Sequence, residues 1–220
     1  MPEPQKHTIL AIDDHPLFRK GVSDLIGMDD TLELIGEAAN GPDGLAVAKQ
    51  FNPDLILLDI NMKGMNGLET LKAIKDQDID SRILMLTVSD NEEDVLTALR
   101  SGADGYLLKD MEPEDILKSI RKAVQGTVVI SDHLTQLLAK ALREDDRINE
   151  QDSITALTAR EREILQQISH GMSNKQIAKT LEISEGTVKV HVKHLLKKLN
   201  LHSRTEAAVW ALNTEKNAAR

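Results

Sequence analysis

The feature that most constrains the fold is an alternation of short apolar runs with helical stripes along the first 125 residues. Five runs have the length of buried strands, at residues 8–12, 32–37, 55–58, 83–86 and 105–108. Apolar residues recur at helical spacing between and after them: Leu17, Val22, Leu25, Ile26; Leu68, Leu71, Ile74; Val95, Leu96, Leu99; Ile116, Ile120, Val124. Strands that alternate with helices form a parallel sheet covered on both faces. We therefore expect a doubly wound α/β module with five strands and five helices.

The pattern changes after Gly126. A short amphipathic helix follows, and then a polar stretch at 143–153 that reads as a solvated linker. From Leu157 onward the pattern is helical only, with four short helices, three of which have a predicted N-cap at Thr158, Ser173 or Ser184. The sequence thus predicts three parts: an α/β domain at 1–126, a linker with a short helix at 127–152, and a small all-α domain at 153–220.

Charge divides the chain at the same place. The net charge is −9, which as an average argues against nucleic-acid binding. Residues 1–152 hold 16 basic and 30 acidic side chains and carry −14, whereas residues 153–220 hold 11 and 6 and carry +5. An acidic module joined to a basic one predicts two modules with different partners, and gives an electrostatic reason for them to associate.

Several classes of protein are excluded by composition. The chain has no Cys, so it offers no disulfide, thiolate metal site or cysteine nucleophile. Its first residues lack the basic and apolar regions of a secretory signal, and no apolar stretch approaches the roughly 20 residues that span a bilayer. We expect a cytoplasmic protein without membrane contact.

Polar residues fall at four strand ends of the α/β module. Asp13 and Asp14 end the first strand, Asp59 the third, Thr87 the fourth and Lys109 the fifth. Ligands of open parallel sheets bind at the carboxyl ends of the strands, so these side chains are expected to converge. Three carboxylates in one crevice favour a divalent cation such as Mg²⁺, although each alone could be an ordinary strand-end cap.

The cluster has no Ser or His nucleophile, which disfavours ordinary hydrolysis. A carboxylate can itself accept a phosphoryl group, and Asp59, alone at the end of the central strand, is the natural candidate. A phosphatase or phosphotransferase for small metabolites remains an alternative, although the second acid/base carboxylate and substrate cap of such an enzyme are not evident.

A helix-turn-helix pattern marks the basic module. Residues 174–181 form the first helix, 182–184 the turn, and the second helix runs from Glu185 to about Leu199. Lys189 and Lys193 are four residues apart and share one face with Val190. A solvated lysine face is the alternative, but the turn, the caps and the charge favour DNA. His191 and His194 are expected to be surface or packing residues rather than metal ligands.

The segments IDDHP, LILLDINMKGMNGLE, LTVSD and GADGYLLKD resemble the receiver domain of two-component response regulators, over roughly residues 7–125. The resemblance implies that Asp59 accepts a phosphoryl group from a sensor histidine kinase. It also implies that Asp14 and Asp59 ligate Mg²⁺, that Asp13 acts mainly through water, and that the Asn61 carbonyl completes the site. The resemblance further implies that Lys109 pairs with the phosphoryl oxygens and that Thr87 moves in to hydrogen-bond them. Tyr106 is then the aromatic switch residue that follows Thr87. A phosphoacceptor of this kind is no turnover enzyme and has at most self-dephosphorylating activity.

Two positions depart from the receiver pattern. Lys63 and Asp110 both stand where many receivers have Pro, the second in a cis bond. A non-proline cis bond costs about 2.5–4 kcal/mol, so that geometry is not assumed here.

The segments LTAREREIL, GMSNKQIA and ISEGTVKVHVKHLLKKL resemble the LuxR/FixJ-type DNA-binding domain, over roughly residues 153–215. The resemblance implies that Lys189, Val190 and Lys193 face base edges. It implies phosphate contacts for the following residues: Asn174, Lys175, Thr187 and Arg204.

Together the modules resemble the NarL/FixJ subfamily, and the motifs NMKGM, LTVSD and MSNKQIA resemble its nitrate/nitrite response regulators. This implies a transcription factor, switched by phosphorylation that relieves inhibition between domains, for genes of anaerobic respiration. Expected partners are a sensor histidine kinase, double-stranded promoter DNA and a second copy, with RNA polymerase as a candidate. Residues 208–210 of the last helix are either a dimer contact or core. A DNA-binding protein with a phosphorylation-independent receiver remains an alternative.

Overall fold

A computed structural model describes residues 6–77, 79, 81–88, 91–125, 127–144 and 156–218. The chain forms two compact units, Met1–Val124 and Gln125–Arg220, and each is considered by itself. Gly126 and most of the predicted polar linker, at 145–153, lie outside the described residues.

The N-terminal unit is a five-stranded parallel sheet with helices. Its strands are β1 (His7–Ile12), β2 (Leu32–Ala38), β3 (Leu55–Asp59), β4 (Arg82–Thr87) and β5 (Gly105–Leu108). They lie in the order β2-β1-β3-β4-β5, and every neighbouring pair is parallel. The helices are α1 (Pro16–Gly27), α2 (Gly41–Phe51), α3 (Gly67–Lys75), α4 (Glu92–Arg100) and α5 (Pro113–Gln125). The predicted doubly wound α/β fold is confirmed.

Continuous apolar runs form the central strands. All five residues of β3 are buried, as expected of a strand covered by helices on both faces. The predicted helical stripes also supply core residues, among them Ile26, Leu71 and Leu99. Leu17 is an exception: its side chain is 87% exposed, so its expected place in the α1 stripe is wrong. It stands in the first turn of α1, where its position on the helix leaves it outside the core.

The regular elements of the C-terminal unit are helices in its described part, apart from a single β-bridge residue at Val129. The unit contains α6 (Asp132–Glu144), α7 (Ala159–Ser169), α8 (Asn174–Thr180), α9 (Glu185–Leu199) and α10 (Arg204–Ala218). Thr158 and Ser173 cap α7 and α8 in reciprocal capping boxes, and Ser184 caps α9. Each cap is where the sequence predicts it, because the side-chain oxygen accepts a hydrogen bond from an otherwise unpaired N–H of the first turn.

Helix α6, which the sequence places in the linker, packs against α10 within this unit. Leu138 of α6 is completely buried. Ala208, Val209 and Trp210 of α10 are 3–4% exposed, so they are core residues of this unit rather than an open dimer surface. In the part of the chain that the structure describes, no helix is long and apolar enough to cross a membrane.

Candidate functional site

The polar residues predicted at the strand ends meet at the carboxyl edge of the sheet. Asp13 and Asp14 follow β1, Asp59 is the last residue of β3, and Lys109 follows β5. Since β1 and β5 flank the central pair β3–β4, the connections after these strands open toward the same crevice. The convergence expected from sequence is present in the structure.

Lys109 bridges two of the carboxylates. Its Nζ lies 2.7 Å from Oδ2 of Asp13 and 2.9 Å from Oδ2 of Asp59, and all three side chains are less than a tenth exposed. The same Nζ lies 4.8 Å from the centre of the Phe18 ring, close enough for a cation–π contact. The amine is therefore held in place by charges on one side and an aromatic face on the other.

Asp59 is 1% exposed, and its environment acts on its acidity in both directions. Burial raises the pKa of Asp59 above its ordinary value, the Lys109 ammonium lowers it, and the neighbouring Asp13 carboxylate raises it further, with a net rise. A further positive charge in the pocket would favour the ionised carboxylate, which is the form that can act as a nucleophile.

Backbone N–H groups hold the other carboxylate oxygens. The Asn61 N–H donates to Oδ1 of Asp59 at 3.2 Å, and the Lys63 N–H donates to Oδ2 of Asp14 at 3.2 Å. Asn61 thus lies beside Asp59, and the metal contact of its carbonyl stays a prediction. Lys63, noted in the sequence only as a departure from Pro, supplies a donor that proline lacks.

Gly67 allows the loop after β3 to close against the phosphoacceptor candidate. Its N–H donates to the Ile60 carbonyl at 2.9 Å, and a Cβ at this position would lie 2.1 Å from the Asp59 carbonyl oxygen. Only glycine fits at that distance. Gly67 is not evident from the sequence, because the requirement for glycine arises from a close approach between two backbone segments.

His15 also lies in this site, which corrects the expectation that no His accompanies the carboxylates. Its Nδ1 lies 2.9 Å from Oδ1 of Asp14, 3.3 Å from Oδ1 of Asp13 and 3.7 Å from Oδ2 of Asp59. Its backbone N–H also donates to Oδ1 of Asp13 at 2.8 Å. The IDDHP motif contains the signal, since His15 follows the two aspartates directly.

Thr87 and Tyr106, the predicted switch residues, lie on neighbouring strands, Thr87 as the last residue of β4 and Tyr106 as the second residue of β5. They are 1% and 4% exposed. Tyr106 is paired with Met85 across β4 and β5, and Met85 and Thr87 are two residues apart on one strand. Side chains two apart on a strand, or paired between strands, point to the same face of a sheet. Thr87 and Tyr106 therefore share one face. The peptide bond between Lys109 and Asp110 is trans, as no cis bond occurs among the described residues.

The donor set of the pocket fits a hard divalent cation. Asp13, Asp14, His15 and Asp59 each place one potential ligand atom within 4.8 Å of the others. Three of these donors are carboxylates, the groups that Mg²⁺ uses most in proteins, and one Lys109 ammonium does not neutralise three negative charges. The pocket therefore suits Mg²⁺ chemically.

In the C-terminal unit, α8, a tight turn and α9 form a helix-turn-helix. Glu182 in the turn has φ 53°, a left-handed conformation that lets the chain reverse between the helices. Val188, Leu195 and Leu199 of α9 are buried against the unit. The opposite face is exposed and carries the predicted base-reading residues Lys189, Val190 and Lys193.

The predicted phosphate-contacting residues lie at three helix starts, those of α8, α9 and α10. Thr187 is exposed in the first turn of α9, and its N–H donates to the Ser184 hydroxyl at 3.0 Å. Lys175 is exposed at the start of α8. Arg204 and Asn174 are half-buried, and the guanidinium donates to the Asn174 side-chain oxygen at 2.9 Å and to the Met172 carbonyl. Arg204 thereby fixes the orientation of the Asn174 amide.

Glu161, on α7, ties that helix to α9. Its carboxylate closes the α7 capping box, accepting from the Thr158 N–H at 2.8 Å, and also accepts from Lys198 at 2.7 Å. Burial would raise the pKa of Glu161, but Lys198 and Thr158 outweigh it and lower the pKa to about 2. Of the lysines on α9, Lys198 is thus engaged within the unit.

Comparison with known proteins gives two family matches. Residues 9–121 match the response regulator receiver domain, and residues 155–211 match the luxR family of bacterial regulatory proteins. Among structures, the chain resembles response regulator ChrA of a heme-sensing two-component system, with 31% identity, a TM-score of 0.51, and coverage of 96% of this chain and 98% of ChrA.

Two relatives come from Escherichia coli (strain K12). The nitrate/nitrite response regulator protein NarL is 55% identical, over 92% of this chain and 94% of NarL. The nitrate/nitrite response regulator protein NarP is 44% identical, over 96% of this chain and 97% of NarP. The motifs NMKGM, LTVSD and MSNKQIA had indicated a protein most like NarP, whereas the identity over the matched chain is higher with NarL, at 55% against 44%.

Proposed function

Because this chain belongs to the response regulators that carry a LuxR-type DNA-binding domain, we propose that phosphorylation of Asp59 controls its binding to promoter DNA. The observation that carries the proposal is the position of Asp59, a buried carboxylate at the end of the central strand with the Lys109 ammonium 2.9 Å away. The phosphoryl donor is the phosphohistidine of a sensor kinase. The names of the relatives support nitrate/nitrite-responsive genes as the targets.

The residues of the pocket have separate roles in the transfer. An oxygen of the Asp59 carboxylate forms a bond to phosphorus as the bond from phosphorus to the kinase histidine nitrogen breaks. Lys109 pairs with the phosphoryl oxygens. Asp14, Asp59 and the Asn61 carbonyl hold Mg²⁺, with Asp13 acting through water, and the ion when bound supplies positive charge that offsets the phosphoryl group. Self-dephosphorylation belongs to this proposal as a separate slow hydrolysis: water attacks phosphorus, the bond from phosphorus to the Asp59 oxygen breaks, and inorganic phosphate leaves.

Thr87 and Tyr106 carry the change away from the pocket. A phosphoryl group adds about −1.5 to −2 charges at neutral pH, enough to attract a hydroxyl donor at the neighbouring strand end. Thr87 then moves toward the phosphoryl oxygens, and Tyr106, on the same face of the sheet, takes up the space that Thr87 leaves. This gives the two states of the receiver different surfaces.

The C-terminal unit reads DNA through α9. Lys189, Val190 and Lys193 contact base edges in the major groove. The following residues contact phosphates: Asn174, Lys175, Thr187 and Arg204. The protein binds inverted half-sites as a homodimer, because two-fold protein symmetry matches palindromic DNA, and the bound dimer is placed to contact RNA polymerase. The proposed functional domains are 1–126 and 153–220, and within the predicted linker 127–152 helix α6 packs on the second domain. The proposed location is cytoplasmic.

The test combines labelling with DNA binding by the full chain. Acetyl phosphate and Mg²⁺ should label the wild-type protein once per chain and tighten its binding to a duplex selected from a random library. Asp59→Asn should lose both effects. Asp54→Asn is the matched control, because Asp54 precedes the same strand at its other end and is half-exposed. Phosphodonor-dependent DNA binding by Asp59→Asn would contradict the proposal, and steady turnover of phosphate esters would favour a phosphatase.

A further inference from the structure

His15 stands out because its ring is exposed yet its inner nitrogen faces the acidic cluster. The side chain is 62% exposed, so solvent is open to it. Nδ1 nevertheless lies within 3.7 Å of an oxygen of each of Asp13, Asp14 and Asp59. The ring therefore covers the mouth of the pocket with one nitrogen directed inward.

The distances match those between ligands of a single ion. Two ligands about 2.1 Å from one octahedral cation, at right angles to each other, lie about 3.0 Å apart. The separations of His15 Nδ1 from Oδ1 of Asp14 and from Oδ1 of Asp13 are 2.9 Å and 3.3 Å. His15 Nδ1 and Oδ1 of Asp14 can thus occupy neighbouring positions around one metal ion, with Asp13 acting on that ion through water.

Lys109 does not compete for those atoms. Its Nζ pairs with the Oδ2 atoms of Asp13 and Asp59. The oxygens nearest to His15 on Asp13 and Asp14 are instead the Oδ1 atoms. The pocket therefore has a lysine side and a histidine side.

We propose that His15 Nδ1 is a direct ligand of divalent transition metals such as Mn²⁺ and Co²⁺, so that the pocket binds these ions in preference to Mg²⁺. Imidazole nitrogen is a good ligand for first-row transition metals, whereas Mg²⁺ keeps oxygen ligands and gives up its waters reluctantly. With Nδ1 on the metal, the ring proton sits on Nε2, which faces solvent. This inference rests on the proposed function, because it uses the same carboxylates as the receiver's cation site.

The test is metal binding by the full chain, without phosphorylation. Electron spin-echo spectra of the Mn²⁺ complex should show modulation from a directly coordinated ¹⁴N nucleus, and His15→Ala should abolish it. His15→Ala should also weaken Mn²⁺ and Co²⁺ binding about tenfold or more, as expected for loss of a ligand, while Mg²⁺ affinity changes less than about threefold. His7→Ala is the matched control, because His7 also lies beside one carboxylate, Asp54, at 3.9 Å, but away from the pocket.

The outcomes separate this inference from the function on which it rests. Mg²⁺ and Mn²⁺ binding that is lost in Asp14→Asn, with no nitrogen modulation in the wild type, would overturn the role of His15 and leave the receiver site intact. An equal loss of Mg²⁺ and Mn²⁺ affinity in His15→Ala would overturn it as well, since it would indicate a general effect of the side chain on the pocket. Failure of the wild-type protein to bind either ion would overturn the proposed cation site together with this inference.

Discussion

Replacing Glu161 with glutamine should remove most of the acid sensitivity that this residue gives to the C-terminal unit. Glu161 is 3% exposed, and its pKa is lowered from 4.5 to about 2. A carboxyl group whose pKa is depressed in the folded state stabilises the fold above its unfolded pKa, and this stabilisation is lost as the pH falls toward the folded value. The window is therefore between about pH 5 and pH 2.

The magnitude follows from the pKa change. At about 1.36 kcal/mol per pKa unit, the fall from 4.5 to about 2 corresponds to about 3 kcal/mol of unfolding free energy. Lys198 is 36% exposed, so solvent screens part of its attraction for Glu161, and we expect about 2 kcal/mol. Glu161→Gln should be less stable than the wild type by that amount at pH 6, and the difference should shrink toward zero near pH 2.5.

Trp210 provides the assay. It is the only Trp of the chain, it is 4% exposed, and it lies in α10, which packs on α7. Its fluorescence during urea unfolding of the full chain thus reports on the unit that contains Glu161. Glu163→Gln is the matched control: Glu163 lies on the same helix and pairs with Arg160 at 2.7 Å, but is 52% exposed, so it should change stability by less than about 0.5 kcal/mol. Parallel pH profiles for Glu161→Gln and wild type would refute the reasoning.

Two further substitutions test the two functional surfaces. Gly67→Ala should slow phosphoryl labelling of Asp59 and cost about 1–3 kcal/mol of stability in thermal unfolding, because the added Cβ must displace the Asp59 carbonyl oxygen. Gly21→Ala, whose Cβ meets nothing within 4 Å, should label normally, and equal labelling by both variants would contradict the close-approach argument. Lys189→Ala should weaken DNA binding while leaving the slope of log affinity against log salt nearly unchanged, because Lys189 is proposed to contact base edges rather than phosphates. Lys20→Ala in the N-terminal unit should alter neither, and no loss of affinity in Lys189→Ala would contradict the proposed DNA-binding face.

The sequence predicted the sheet well because buried parallel strands are continuous apolar runs, which local composition reveals. It also placed Asp59, Thr87 and Lys109 correctly at strand ends, since the topology follows from the strand–helix alternation. Helix α2 gave no apolar stripe because its buried residues are small, namely Gly41, Gly44 and Ala48. A Cβ at Gly44 would lie 2.5 Å from the Ile12 side chain, so close packing there replaces large apolar residues.

The parts of the site that the sequence did not predict depend on backbone groups and on rotamers. The donor to Asp14 is the N–H of Lys63, which residue type does not reveal, since every residue but proline carries one. His15 points inward because its exposed side chain adopts one particular rotamer, which the residue type alone does not predict. Leu17 was misplaced for the converse reason, because an apolar residue in the first helical turn can lie outside the core however well its spacing fits the stripe.

The charges that decide DNA binding are fewer than the counts for the basic module indicate. Exposed charges more than about 10 Å apart are largely screened at 0.1 M salt, so neither the net −9 of the chain nor the +5 of residues 153–220 acts as a whole on a phosphate. Lys198 is engaged by Glu161 at 2.7 Å, and Arg204 donates to Asn174 and Met172. Lys198 and Arg204 therefore hold neighbouring groups of the proposed DNA-binding surface in position. The proposed DNA contacts of α9 rest on Lys189 and Lys193, which are exposed on the face opposite its buried stripe.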